Sequence, residues 1–290
     1  MGKPRISFHD FTSCEGCQLQ VLNCEDELLD ILGAVDIVNF REAIDDRSDE
    51  YDIAFIEGAF SRESDRPRLE KIRKNAKIVV AIGACACTGG LNVLKNFRGI
   101  EQSMKTVYGD KAHLYETSKA VPIDAAIKVD VKIHGCPIPK QEFLEVVKSV
   151  LAGRTPKIPD HPVCVECKLR ENVCLYHKGE YCMGIVARAG CNAWCPSYGG
   201  RCYACRGLIS DPNNQAAKDV LAEFGLTLDK VMGEFRLFNG VYDVAEPPAD
   251  VPAAQPATRK AKADVPAVLG AIPPKPAKGQ TGTGQQQPHA

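Results

Sequence analysis

Cysteine carries most of the chemistry this sequence can offer. Fourteen of the 290 residues are cysteine, more than packing alone asks for. Spacing sorts twelve of them into three sets. The first is Cys14-Glu-Gly-Cys17, then Cys85 and Cys136. The second is Cys164-x2-Cys167-x6-Cys174-x7-Cys182. The third is Cys191-x3-Cys195-Pro196-x5-Cys202-x2-Cys205. Four thiolates hold either a zinc ion or an iron–sulfur cluster. Structural zinc favours two compact pairs. The first set has one pair and two isolated cysteines, which suits a cubane cluster better. The Cys-x3-Cys-Pro piece of the third set matches the close of the bacterial ferredoxin run. Two zinc ribbons are the alternative for the last eight cysteines. Cys24 falls within a helical pattern and reads as an ordinary buried thiol. Cys87 stands two residues from Cys85 and could replace it as a ligand. His161, three residues before Cys164, is either a replacement ligand or a surface residue beside Pro162.

The elements that position these residues alternate in type. Residues 5–9, 35–40, 51–56, 77–82 and 129–133 read as strands. The 77–82 run is apolar after Lys77, as in a parallel strand covered on both faces. A helical pattern runs from Leu19 to Leu32, a charged helix over 65–75 and another helix over 141–151. Alternation of this kind predicts a doubly wound parallel α/β sheet. Cys14, Cys17, Cys85 and Cys136 then all lie just past the carboxyl ends of strands, the edge where such sheets bind ligands. The expected division is a flavodoxin-like domain over 1–155 and a small cysteine-rich domain over 156–245. In the second, eight cysteines occupy residues 164–205 and apolar runs are few, so bound metal must hold it together. A helix over 214–224 and an apolar stretch over 235–241 follow. Residues 246–290 hold nine of the 19 prolines and read as a disordered tail.

Composition excludes several classes. Lys plus Arg is 36 and Asp plus Glu is 37, a net charge of −1, so the basic excess of a nucleic-acid binder is missing. No run of 18 apolar residues spans a membrane. The sequence offers no G-x-G-x-x-G after a strand, no P-loop and no nucleophile constellation. The first residues lack a signal-peptide pattern. The expected location is therefore the cytoplasm, where thiols stay reduced and disulfides are disfavoured.

Cys14-Glu-Gly-Cys17-Gln18, Gly83-Ala-Cys85-Ala-x-x-Gly89-Gly90 and Gly135-Cys136-Pro137 resemble the small subunit of [NiFe] hydrogenases. The resemblance covers about residues 5–210 and includes Cys174-Leu-Tyr-x-Lys178 and Cys182-x-Gly184. It implies three [4Fe–4S] clusters. Cys14, Cys17, Cys85 and Cys136 would hold the proximal one, which favours Cys85 over Cys87. Cys191, Cys195, Cys202 and Cys205 would hold the medial one. Cys164, Cys167, Cys174 and Cys182 would hold the distal one. It also implies a separate large subunit carrying the nickel–iron site. Beyond the distal cluster it implies an electron acceptor, either a flavin-containing diaphorase or a heterodisulfide-reductase-type subunit. Cys164 stands where many periplasmic members have a histidine, and the medial set has four cysteines where some members have a proline. These features, with no twin-Arg leader and no C-terminal membrane helix, are similar to the soluble cytoplasmic group. Glu15, between two proximal ligands, is a candidate proton relay, against the plainer reading of a surface carboxylate. Two readings from other classes stand beside this one. One is a zinc-stabilised binding module on a flavodoxin-like scaffold. The other is a quinone-reductase-type subunit, which shares the proximal motif but carries one cluster, so the eight additional cysteines argue against it.

Overall fold

The computed structural model describes residues 2–225 and 228–242. The expected tail, 246–290, lies outside the described residues.

Five strands, β1 (Arg5–Asp10), β2 (Asp36–Asn39), β3 (Ile53–Glu57), β4 (Ile78–Ile82) and β5 (Val131–Ile133), form one sheet. Every pairing is parallel and the order is β2-β1-β3-β4-β5. This is the flavodoxin-like order, whose switch point lies between β1 and β3. The central strands are buried on both faces, and side chains alternate between them. Ile53, Phe55, Ile78, Val80 and Ile82 point to one face. Ala54, Ile56, Val79 and Ala81 point to the other.

The first face packs on α1 (Gly16–Leu22), α2 (Asp26–Ala34) and the later helix α7 (Lys140–Leu151). The second packs on α3 (Arg66–Asn75) through Leu69 and Ile72. In α7, Phe143, Val146, Val147 and Val150 are buried at the spacing of one helical stripe. Phe8 anchors the first face. Its ring stacks on Phe40 at 4.3 Å and on Phe55 at 4.9 Å, and Phe143 closes on Phe55 at 5.6 Å.

One helical pattern over Leu19–Leu32 is broken in two. Glu25 takes a φ of 46° between α1 and α2. The leucine spacing is mixed, so no single stripe could be buried. Leu19, Leu29 and Leu32 are exposed in consequence. Short helices α4 (Gly83–Thr88), α5 (Leu94–Arg98) and α6 (Ile100–Tyr108) follow β4.

The cysteine-rich segment carries α8 (Val163–Leu169), the single turn α9 (Trp194–Ser197), α10 (Asn214–Glu223) and α11 (Leu228–Asn239). Its buried cluster is built from Val163, Tyr176, Met183, Val186, small alanines and Cys202. Cys167, Cys174, Cys182 and Cys191 pack against it. The apolar stretch over 235–241 is the end of α11 and the turn after it. That end docks on the sheet region, where Thr88 Oγ1 donates to Phe238 O at 2.8 Å. Asn239 Nδ2 donates to Ala204 O at 3.1 Å. Among the described residues no helix is long and apolar enough to cross a membrane.

Candidate iron–sulfur sites

The carboxyl ends of β1, β3, β4 and β5 converge, and each contributes to one cluster of side chains. The turn after β1 presents Cys14 and Cys17, the latter in α1. The turn after β4 is α4, which presents Cys85. The turn after β5 presents Cys136, joined to Pro137 by a cis peptide bond. The four thiols sense one another. Burial pushes the Cys85 thiol up to about 12, helped by Cys136, Cys14 and Glu57. Burial also raises Cys17, with contributions from Glu57, Cys136 and Cys85. Cys136 is raised by burial, Cys14 and Glu57. Thiols crowded in this way favour a cation among them once they lose their protons. The backbone of Ile138 opposes the rise at Cys17. Gly83 has a φ of +86°, and a Cβ there would overlap Cys17 Sγ. Only glycine leaves that space open.

Glu57 is a member of this site that the sequence reading missed. It ends β3 at the switch point, is 2% exposed, and accepts the backbone N–H groups of Cys17 (3.1 Å) and Gln18 (3.0 Å). No side chain within the segment caps α1, so Glu57 satisfies its first amides from another strand. Burial holds its carboxyl above the usual range against those two donors. The available signal was an acid at the end of the apolar run Ile53-Ala-Phe-Ile-Glu57, just before a glycine.

The second set also converges. Cys164, Cys167, Cys174 and Cys182 line one cavity. Burial pushes Cys164 up to about 11, with Cys182, Cys167 and Cys174 adding to it. Cys167 Sγ accepts from Asn172 Nδ2 at 3.6 Å. In the third set, burial pushes Cys205 up to about 12, and Cys191 and Cys195 add to it. Cys202 is raised by burial, then by Cys182, Cys205 and Cys191. Among the described residues no three His, Cys, Asp or Glu side chains close to the spacing of a single metal ion.

The sets abut. Cys136 lies close enough to Cys205 to shift its thiol, which links the first set to the third. The backbone N–H of Cys202 donates to Cys182 Sγ at 3.3 Å, which links the third set to the second.

The leftover groups lie elsewhere. Cys24 is fully buried, and its Sγ donates to Gln20 O at 3.7 Å. Cys87 sits in the second core face and donates to Ile133 O at 3.5 Å and Ala81 O at 3.7 Å. His161 is exposed, and its carbonyl accepts from Ala189 N–H. Glu15 has a φ of 62°. A hydrogen bond with Glu42 holds its carboxyl above the ordinary range, aided by slight burial.

This arrangement has known counterparts. The pattern of the family described as NADH ubiquinone oxidoreductase, 20 Kd subunit, matches residues 14–150. That match takes in four of the five strands, β2 to β5, and the first thiol set. Sulfhydrogenase 2 subunit delta of Pyrococcus furiosus is 34% identical over 237 residues, spanning 81% of this chain and 98% of its own. A match of that span cannot avoid the segment 164–205. The chain belongs to the family of hydrogenase delta and G subunits. Another relative is the vhu G subunit of the F420-non-reducing hydrogenase of Methanococcus voltae. It is 31% identical over 271 residues, spanning 82% of this chain and 94% of its own. Among solved structures, a chain of an NAD+-reducing [NiFe]-hydrogenase in the H2-reduced state superposes with a TM-score of 0.50 at 27% identity. That likeness covers 55% of this chain and 96% of the other, so family members share the α/β fold.

Proposed function

We propose that this chain is the electron-transfer subunit of a [NiFe]-type hydrogenase complex. The observation that carries the reading is the contact order of the thiol sets: first to third through Cys136 and Cys205, third to second through Cys202 and Cys182. Cys14, Cys17, Cys85 and Cys136 are the proximal ligands in this reading. Cys191, Cys195, Cys202 and Cys205 are the medial ligands, and Cys164, Cys167, Cys174 and Cys182 the distal ones. A [4Fe–4S] cluster, when bound, takes up and releases one electron at a potential set by its surroundings. The residues present fit that group. The thiols of each set neighbour one another closely enough to shift one another's pKa. Gly83 leaves open the space a side chain would fill beside Cys17.

The chain's own groups then have definite work. Thiolates bind. The N–H group of Cys202 donates to Cys182 Sγ and favours its charged form. Glu57 fixes the start of α1 and so the place of Cys17. Cys14 and Cys136 are exposed on the sheet's carboxyl edge, and a separate large subunit bearing the nickel–iron site is the partner that covers them. At the far end, exposed Leu169 and Val173 flank Cys167 and Cys174. This is the surface for an acceptor, a flavin-containing diaphorase or a heterodisulfide-reductase-type subunit. All fourteen cysteines are free, which suits the cytoplasm. The eight cysteines of 164–205 weigh against a one-cluster quinone-reductase subunit.

The test is hydrogen-dependent dye reduction by the anaerobically purified complex of this chain with its large subunit. The native complex should reduce the dye, and Cys85→Ser should abolish the activity. A complex with full metal content and no hydrogen-dependent reduction would overturn the proposal.

A further inference from the structure

Arg206 heads the fully buried side chains of the described residues in size and is 2% exposed. It reaches three separate segments. Its Nε donates to Ala189 O at 2.7 Å. Nη1 donates to His134 O, and Nη2 pairs with Glu142 Oε2. Glu142 is itself 8% exposed. Arg206, with Glu142 as its counter-ion, therefore ties the residue that follows β5 to the segment before Cys191. The positions gripped matter. His134 is two residues before Cys136, Ala189 is two before Cys191, and Arg206 follows Cys205. Gly190 makes room for the pair. It has a φ of +114°, and a Cβ there would fall 2.5 Å from Arg206 Nη2 and 2.8 Å from Glu142 Oε2.

Burying an ion pair is not an efficient route to stability, since desolvation offsets most of the attraction. An apolar side chain would bury as well. It could not hold three acceptors from three segments in fixed directions, which the planar guanidinium does. We propose that Arg206, held by Glu142, is a positioning residue that fixes the first and third thiol sets relative to one another and so governs electron passage between them. The proposal rests on the reading that both sets hold iron–sulfur clusters. A lysine would keep the charge but lose the fork.

The experiment compares the native hydrogenase complex with Arg206→Lys and Glu142→Gln. Iron per chain and the magnetic splitting between neighbouring reduced centres are measured beside turnover. In Arg206→Lys, iron should stay at the native level, the splitting should change, and hydrogen-to-dye turnover should fall about tenfold or more, as misplacement of a reacting pair does. Glu142→Gln keeps an acceptor oxygen and should show a smaller change of the same kind. Unchanged splitting and turnover at full iron would overturn the proposal. Loss of iron from all three sets in both variants would also overturn it, because Arg206 would then serve folding alone. Absence of any iron–sulfur signal in the native complex defeats the underlying reading instead, and it is seen before a variant is compared.

Discussion

The sheet region and the cysteine-rich region solve the problem of staying folded in different ways. The sheet buries Phe8, Phe40, Phe55, Phe143 and continuous aliphatic strands on both faces. Such a core supplies its own driving force. The region from 163 to 224 buries a few medium-sized side chains, several alanines and the cysteines themselves. Its short helical turns are too brief to be stable alone. In the proposed reading, the cysteines complete this core by binding metal, so the first region forms a platform before anything binds and the second needs what it binds.

The largest expected effect breaks the two regions apart. Removing iron with a chelator should expose amides of 163–209 to hydrogen exchange by several orders of magnitude, while β3 and β4 stay protected. Exchange read by mass spectrometry checks this, and equal loss in both regions would erase the contrast. Next in size is Phe8→Ala, which should cost about 3–5 kcal/mol of stability through the cavity it leaves. A denaturant titration followed by backbone signals should show the sheet transition moving to lower concentration.

His9 gives a pH-dependent test confined to the sheet. It is 6% exposed and bonded to Ser7 Oγ at 3.0 Å, and burial, then Arg68, lowers its pKa to about 4. The unfolded chain binds a proton near pH 6.5, so it takes up more protons than the folded chain between 6.5 and 4. The stability contribution is complete above pH 6.5 and is lost as pH falls towards 4, by up to about 3 kcal/mol. His9→Gln should flatten the stability curve over that window. A variant curve parallel to the native one would contradict the assignment.

Glu57→Gln should be milder, at about 1–2 kcal/mol, because an amide keeps one acceptor and sets its NH2 against the other backbone donor. Faster exchange at the amides of Cys17 and Gln18 is the signature. The smallest effect is at the exposed Arg66–Glu63 pair, where Glu63→Ala should leave the melting temperature unchanged.

Much of the fold was legible because parallel strands buried on both faces leave unbroken apolar runs, as in 78–82. Alternation with helices then pointed to a doubly wound parallel sheet. The first thiol set was legible because each of its cysteines follows such a run. Other features were hidden. The break at Glu25 depends on which leucines find partners, and mixed spacing does not say. Helix α6 went unread, and it carries no buried residue although Ile100, Met104, Val107 and Tyr108 fall on one face. Glu57 and Arg206 act across 40 and 64 or more positions of sequence, and only tertiary structure shows what a buried charge reaches. The grouping of the last eight cysteines was readable from spacing, but the contacts Cys136–Cys205 and Cys182–Cys202 were not.

The central claim is that twelve cysteines hold three iron–sulfur clusters in contact order. Iron and acid-labile sulfide per chain, measured on anaerobically purified protein with the spectrum after dithionite reduction, test it most directly. The account predicts about twelve iron atoms and as many sulfides per chain, with signals from coupled reduced centres. Two or three zinc ions per chain and no visible absorption would contradict it, and the cysteines would then be structural.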